Sequence, residues 1–75
     1  MTHVLNWKGI GFRCAALRQR SGLNEREAAF KVGIRPRTWR NLERGRPCRT
    51  ETFLKVCQAF RCSVDWLAGG KAVAS

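Results

Sequence analysis

Apolar residues along this chain recur at helical spacing, and the runs are short. Ile10, Cys14 and Leu17 stand at i, i+4 and i+7, one face of an amphipathic helix. The pattern predicts a first helix from Gly9 or Ile10 to Ser21, ended by Gly22. Arg13, Arg18 and Arg20 lie off its apolar stripe. A second helix is predicted after Asn24, a favoured N-cap residue. Asn24 and Glu27 have capping-box spacing, and Glu25 and Glu27 place negative charge in the first turn. Ala28, Ala29 and Val32 make its inner side, and Gly33 ends it.

A third helix is predicted from Pro36, whose missing N–H costs nothing at the first helical position. It runs through Arg44 and stops at Gly45. Trp39 and Leu42 face inward, which leaves Arg37, Arg40, Asn41 and Arg44 outward. After the basic loop Arg46-Pro47-Cys48-Arg49, a fourth helix capped by Thr50 carries Phe53, Leu54, Val56, Cys57 and Phe60. A short fifth, capped by Ser63, carries Val64, Trp66 and Leu67. β-Branched alternation is absent, so the expected fold is all-α: a compact five-helix domain over residues 9–69. Residues 1–8 form an N-terminal arm, and 70–75 a flexible tail. Val4, Leu5 and Trp7 make the arm too apolar for a solvated segment, so they pack on the domain or on a partner.

Composition then narrows the partner. The 75 residues carry 15 Lys+Arg against 5 Asp+Glu, a formal charge of +10. Such a balance calls for an anionic partner: nucleic acid, an anionic membrane or an acidic protein. The start of the chain lacks the apolar core and cleavage site of a secretory signal. No apolar run approaches the roughly 20 residues that span a bilayer, so the expected location is cytoplasmic, with no membrane partner. There Cys14, Cys48, Cys57 and Cys62 are expected as free thiols. They include no CxxC pair, and His3 is the lone histidine, so no metal is expected. No nucleophile–base pair is present; neither a cofactor nor an enzyme activity is expected.

The informative stretch is Leu23 to Gly45, LNEREAAFKVGIRPRTWRNLERG. Ala29 allows close helix–helix approach, Gly33 permits the turn, and the second helix projects a polar face. A helix of that kind fits the major groove of B-DNA. From Arg35 to Arg49 there are six arginines and one acid, and this run coincides with the projecting helix and the loop after it. A solvated charged face is the plainer alternative; the coincidence favours a DNA-facing patch.

With LRQRSGLN before it, NLERG at its end and FLKVCQAFRCSVDWLAGG after it, this stretch resembles the Cro/repressor-type (XRE-like) helix-turn-helix proteins of phages and bacteria. It is similar to lambdoid phage repressor domains and restriction–modification controllers over about Ile10 to Gly69. The resemblance implies that Arg35, Arg37, Thr38, Arg40 and Asn41 meet bases, with Pro36 silent or steric among them. It places Asn24, Glu25, Arg44, Arg46 and Arg49 at phosphates, and Arg18 with Glu43 in an ion pair between helices. Trp66 and Leu67 either close the core or line a two-fold dimer contact.

The chain departs from the family pattern in places. Glu25 stands for the usual glutamine; its alternative role is to orient an arginine such as Arg37. Arg61 stands for a common glycine after the fourth helix, where a left-handed backbone costs about 1 kcal/mol. Phe30 occupies a place usually polar. Trp39 and Leu42 invert a common small-aliphatic and tryptophan order at roughly conserved volume.

The function implied is that of a transcriptional regulator on double-stranded DNA. The expected form is a homodimer on a pseudo-palindromic operator, repressing a promoter of a phage, mobile element or small operon by competing with or contacting RNA polymerase. The alternative is an antitoxin or anti-activator that keeps the fold but binds a protein through Phe30, Trp7 or Trp66. RNA binding lacks the exposed aromatic platform that single strands need.

Overall fold

The computed structural model describes residues 5–69, in which five helices pack around one core and no strand occurs. They are α1 (Trp7–Arg20), α2 (Glu25–Val32), α3 (Pro36–Glu43), α4 (Thr50–Phe60) and α5 (Val64–Gly69). The all-α, five-helix expectation holds. Helix α3 packs on α1 and α2, while α4 closes over α2 and α5 over α1.

Helix α1 starts earlier than the apolar pattern predicts. The Asn6 side chain caps it, accepting from Gly9 N–H at 3.0 Å, so Trp7 and Lys8 are helical and do not belong to an arm. Gly11 explains why those first turns can seat. A Cβ there would lie 2.5 Å from the carbonyl oxygen of Leu42 and 2.9 Å from that of Glu43. The backbone of α1 therefore rests directly on the end of α3, and only a glycine permits the approach. Residues 1–4, with Val4 of the apolar arm, and the tail 70–75 lie outside the described residues.

The second helix follows its sequence signals closely. Asn24 Oδ1 accepts from Glu27 N–H at 2.8 Å, and Glu27 Oε1 accepts from Asn24 N–H at 2.9 Å, a complete capping box. Gly33 is left-handed at φ +85 and closes α2 by donating to Ala29 O at 2.9 Å. Pro36 opens α3 after Arg35, which gives it no side-chain cap.

One predicted cap is misplaced. Thr50 is the first helical residue of α4, and Arg49 holds the N-cap position without a side-chain bond. The first carbonyl to accept from the helix is that of Arg49, bonded by Phe53 N–H at 3.0 Å. Ser63 does cap α5, its Oγ accepting from Trp66 N–H at 3.0 Å. The far end of α5 is held by a residue the apolar pattern left outside the core. Arg13 donates from Nε to Leu67 O at 2.8 Å and from Nη2 to Ala68 O at 3.2 Å. A guanidinium suits that place, because the last carbonyls of a helix lack backbone donors.

Trp39 sits at the centre with no exposed surface, among Ile10, Cys14, Ala28, Ala29, Leu42, Val56 and Leu67. Its ring lies 5.8 Å from that of Phe60, tilted by 37°. Lys31 Nζ lies 5.7 Å from the other aromatic centre, that of Phe60, a cation–π contact that tops the core. Arg61 takes the left-handed conformation at φ 52, the one non-glycine residue among those described to do so. Not every apolar position of the pattern is inside: Leu54 and Val64 are exposed.

Candidate nucleic-acid interface

Helices α2 and α3, joined through Gly33, Ile34 and Arg35, form a helix-turn-helix whose second helix buries only Trp39 and Leu42. Its other side is cationic. Arg37, Arg40 and Arg44 are exposed, and Asn41 is half-buried between them. These four, with Arg46 from the following loop, line an open groove of about 480 Å³. The loop is tied to the helix by Arg46 N–H donating to Asn41 O at 3.0 Å. A second groove, of about 250 Å³, runs along the other flank, lined by Thr38, Asn41, Pro47, Arg49 and Thr52 among others. Asn41 borders both grooves and so forms the ridge between them. Arg35 is exposed at the start of α3, outside either groove.

The single acid of this run is withdrawn from the face. Arg18 donates to Glu43 from Nε at 2.5 Å and from Nη2 at 3.1 Å, a bidentate pair. The Trp39 indole N–H also donates to Glu43, and Arg18 Nη1 donates to Leu23 O at 3.2 Å. Glu43 thus ties α1 to α3, and Arg18 extends the link to the start of the helix-turn-helix. The Arg18 pKa is raised above its ordinary value, first by the hydrogen bond to Glu43. Among the described residues this is the one ion pair. Among the described residues no carboxylate pairs with the arginines of α3 and its loop, which suits a polyanion.

At the start of α2, Asn24 spends its Oδ1 and backbone N–H on the capping box, so Nδ2 is its remaining donor toward a ligand. Glu25 is half-buried and makes no ion pair with Arg37. Its charge instead favours that of Arg18.

Leu67 has no exposed surface. It closes the core. Trp66 is half-buried and packs against the core edge. The expected packing of the early apolar residues is split: Trp7 packs on the core, whereas Leu5 is exposed. Leu5, Trp7, Leu54 and Val64 line an apolar groove of about 250 Å³ across the ends of α1, α4 and α5. Phe30 is 88% exposed and Phe12 67% exposed. The apolar pattern did not single out Phe12; its place on α1, off the Ile10–Cys14–Leu17 stripe, is the signal for it.

All four cysteines are free thiols. Burial pushes Cys14 up to about 12 and Cys57 up to about 11, and raises Cys48 and Cys62 as well. Among the described residues no three metal-binding side chains converge. No described helix is long and apolar enough to cross a membrane.

Residues 15–67 match the model of the helix-turn-helix family HTH_3. The structure is similar to that of the clp gene regulator ClgR from C. glutamicum. That match has 28% identity and a TM-score of 0.71 over 96% of this chain and all of that one. It is also similar in fold to the hypothetical transcription factor NHTF from Neisseria, at 16% identity and a TM-score of 0.77. There the match covers 91% of this chain and 85% of that one. With more than half its length matched by the family model and its helix-turn-helix in place, the chain is a member of the helix-turn-helix family of DNA-binding transcription regulators.

Proposed function

We propose that this regulator reads double-stranded DNA in a sequence-specific way by laying α3 in the major groove. The observation that carries the reading is the α3 face itself: arginines in a row, with the neighbouring acid locked inward. In this reading Arg37 bonds guanine O6 and N7 in bidentate fashion, and Asn41 bonds adenine. Arg35, Thr38 and Arg40 complete the base-reading set. Arg44, Arg46, Arg49 and the Nδ2 of Asn24 hold phosphates, with Glu25 at the same helix start. Phosphate contacts supply register and most of the affinity, and base contacts supply preference.

The active form in this reading is a homodimer on a pseudo-palindromic operator, with the two α3 helices in successive major grooves about 34 Å apart. The exposed apolar residues around α5 and the half-buried Trp66 support a two-fold contact there. The dimer represses its own or a neighbouring promoter by excluding RNA polymerase. The test is selection of bound duplexes from a random DNA pool, then affinity for the winner and a scrambled control at two salt concentrations. A two-fold symmetric site bound roughly 10³-fold or more above control supports the reading. Equal, salt-sensitive binding to both reduces the arginines to generic electrostatics.

A second reading rests on Phe30, which at 88% exposed is costly surface for a protein that binds only DNA. It makes the domain an antitoxin-type or anti-activator module. Capture of a protein partner without DNA, lost in Phe30→Ser, would favour it.

A further inference from the structure

Helix α4 ends in a Schellman motif whose two contact positions are both cysteines. Arg61 is left-handed at φ 52 and ψ 47. Cys62 N–H donates back to Cys57 O at 3.0 Å, and Arg61 N–H to Gln58 O at 3.4 Å. In this motif the side chains three residues before the helix end and just beyond the left-handed residue are brought together, ordinarily as an apolar contact. Here those residues are Cys57 and Cys62, whose thiols are close enough for each to shift the pKa of the other. The backbone thus holds two free thiols against each other, one buried and one half-buried.

We propose that Cys57 and Cys62 form a redox-modification site, a dithiol that a small disulfide of the glutathione class converts into an intramolecular disulfide. Cys62 is the attacking residue, being the more exposed of the two at the corner between α4 and α5. Its thiolate attacks one sulfur of the oxidant, forming a mixed disulfide and releasing one small thiol. Cys57 loses its proton to solvent and attacks the Cys62 sulfur, and the second small thiol leaves. Two protein thiols are oxidised, one small disulfide is reduced to two thiols, and the two electrons balance.

Two features favour the closed form. The turn at Arg61 already brings the two residues together, so closing the ring orders little backbone that the helix end has not ordered already. Burial raises both thiols, which makes each a poor leaving group when the disulfide is attacked by a reductant. Burial likewise slows the first attack, although the Arg20 charge partly opposes that effect at Cys62. Of the other cysteines, Cys14 is fully buried in the core with Cys57, and Cys48 lies in the loop before α4; neither shares the backbone turn that pairs Cys57 with Cys62.

The sequence supplies its own assay, because Lys55 and Arg61 are trypsin sites and Arg61 lies between the two cysteines. The full-length chain is equilibrated with graded ratios of oxidised to reduced glutathione, quenched in acid, alkylated, digested and analysed by mass spectrometry. The expected product is Val56–Arg61 joined to Cys62–Lys71 in a single species that reductant splits, from a monomeric chain that has lost two hydrogens. Cys62→Ser should abolish it, and Cys57→Ser should leave a glutathione adduct trapped on Cys62. The wild-type digest decides the matter even where the buried Cys57→Ser variant fails to fold. Glutathione adducts alone, links to Cys48, links between two chains, or no loss of thiol at ratios that oxidise the urea-unfolded chain would each overturn the proposal.

Discussion

Replacing Gly11 with alanine should destabilise this protein, and replacing Gly9 should not. Both glycines lie in α1, two residues apart, and helix propensity alone predicts the same gain for each, roughly 1 kcal/mol. Their surroundings differ. A Cβ on Gly9 meets the guanidinium of Arg13 and the amide of Asn6, at 3.2 to 3.3 Å, side-chain ends that give by a few tenths of an ångström while keeping their hydrogen bonds to the end of α5 and to Gly9 N–H. A Cβ on Gly11 meets main chain: Leu42 O at 2.5 Å, Glu43 O at 2.9 Å and Gly45 N at 3.1 Å. Those atoms belong to the end of α3 and its exit turn, so relief requires α1 and α3 to separate. Overpacking of that kind costs about 1–3 kcal/mol, and contact with rigid backbone places this case at the upper end.

Net of propensity, Gly11→Ala should lose about 1–2 kcal/mol. That corresponds to a melting temperature lower by about 5–15 °C in a domain this small. Gly9→Ala should be neutral or gain up to about 1 kcal/mol. Urea and thermal unfolding followed by circular dichroism measure both. Because the displaced turn carries Arg44 and leads to Arg46, Gly11→Ala should also weaken DNA binding at temperatures where it remains folded. Equal stabilisation by the two substitutions would refute the direct seating of α1 on α3.

Arg37→Ala should cost about 1–3 kcal/mol of binding and relax preference at one base position, read by repeating the selection with the variant. Arg46→Ala should weaken all duplexes alike and flatten the salt dependence by about one unit, measured by affinity titrations across salt. Arg18→Met removes the donors of a carboxylate that also holds Trp39, and should cost about 2–3 kcal/mol in urea unfolding. Arg61→Gly relieves a left-handed side chain and should gain about 1 kcal/mol, seen as a higher melting temperature with DNA affinity unchanged.

Much of this domain is local physics, and that part is written along the chain. The capping box of Asn24 and Glu27, the left-handed turn at Gly33, Pro36 at the first position of α3 and Ser63 before α5 each act within about one helical turn. Neighbouring residues therefore suffice to predict them. The inward positions of Trp39 and Leu42 follow from period, and the arginine-rich outer face of α3 follows as their complement.

What the chain alone left open depends on residues distant in sequence. Gly11 reads as a helix weakener until the carbonyls of Leu42 and Glu43 are placed above it. Arg13 looks like solvated charge until the end of α5 arrives within its reach. Leu67 was equally compatible with core or dimer contact, and only the packing of α5 on α1 enclosed it. Cys57 and Cys62 became a pair when Arg61 turned left-handed and folded the chain back across the end of α4. In each case the deciding term is a contact between separate elements, absent from local propensity and supplied only when the helices pack.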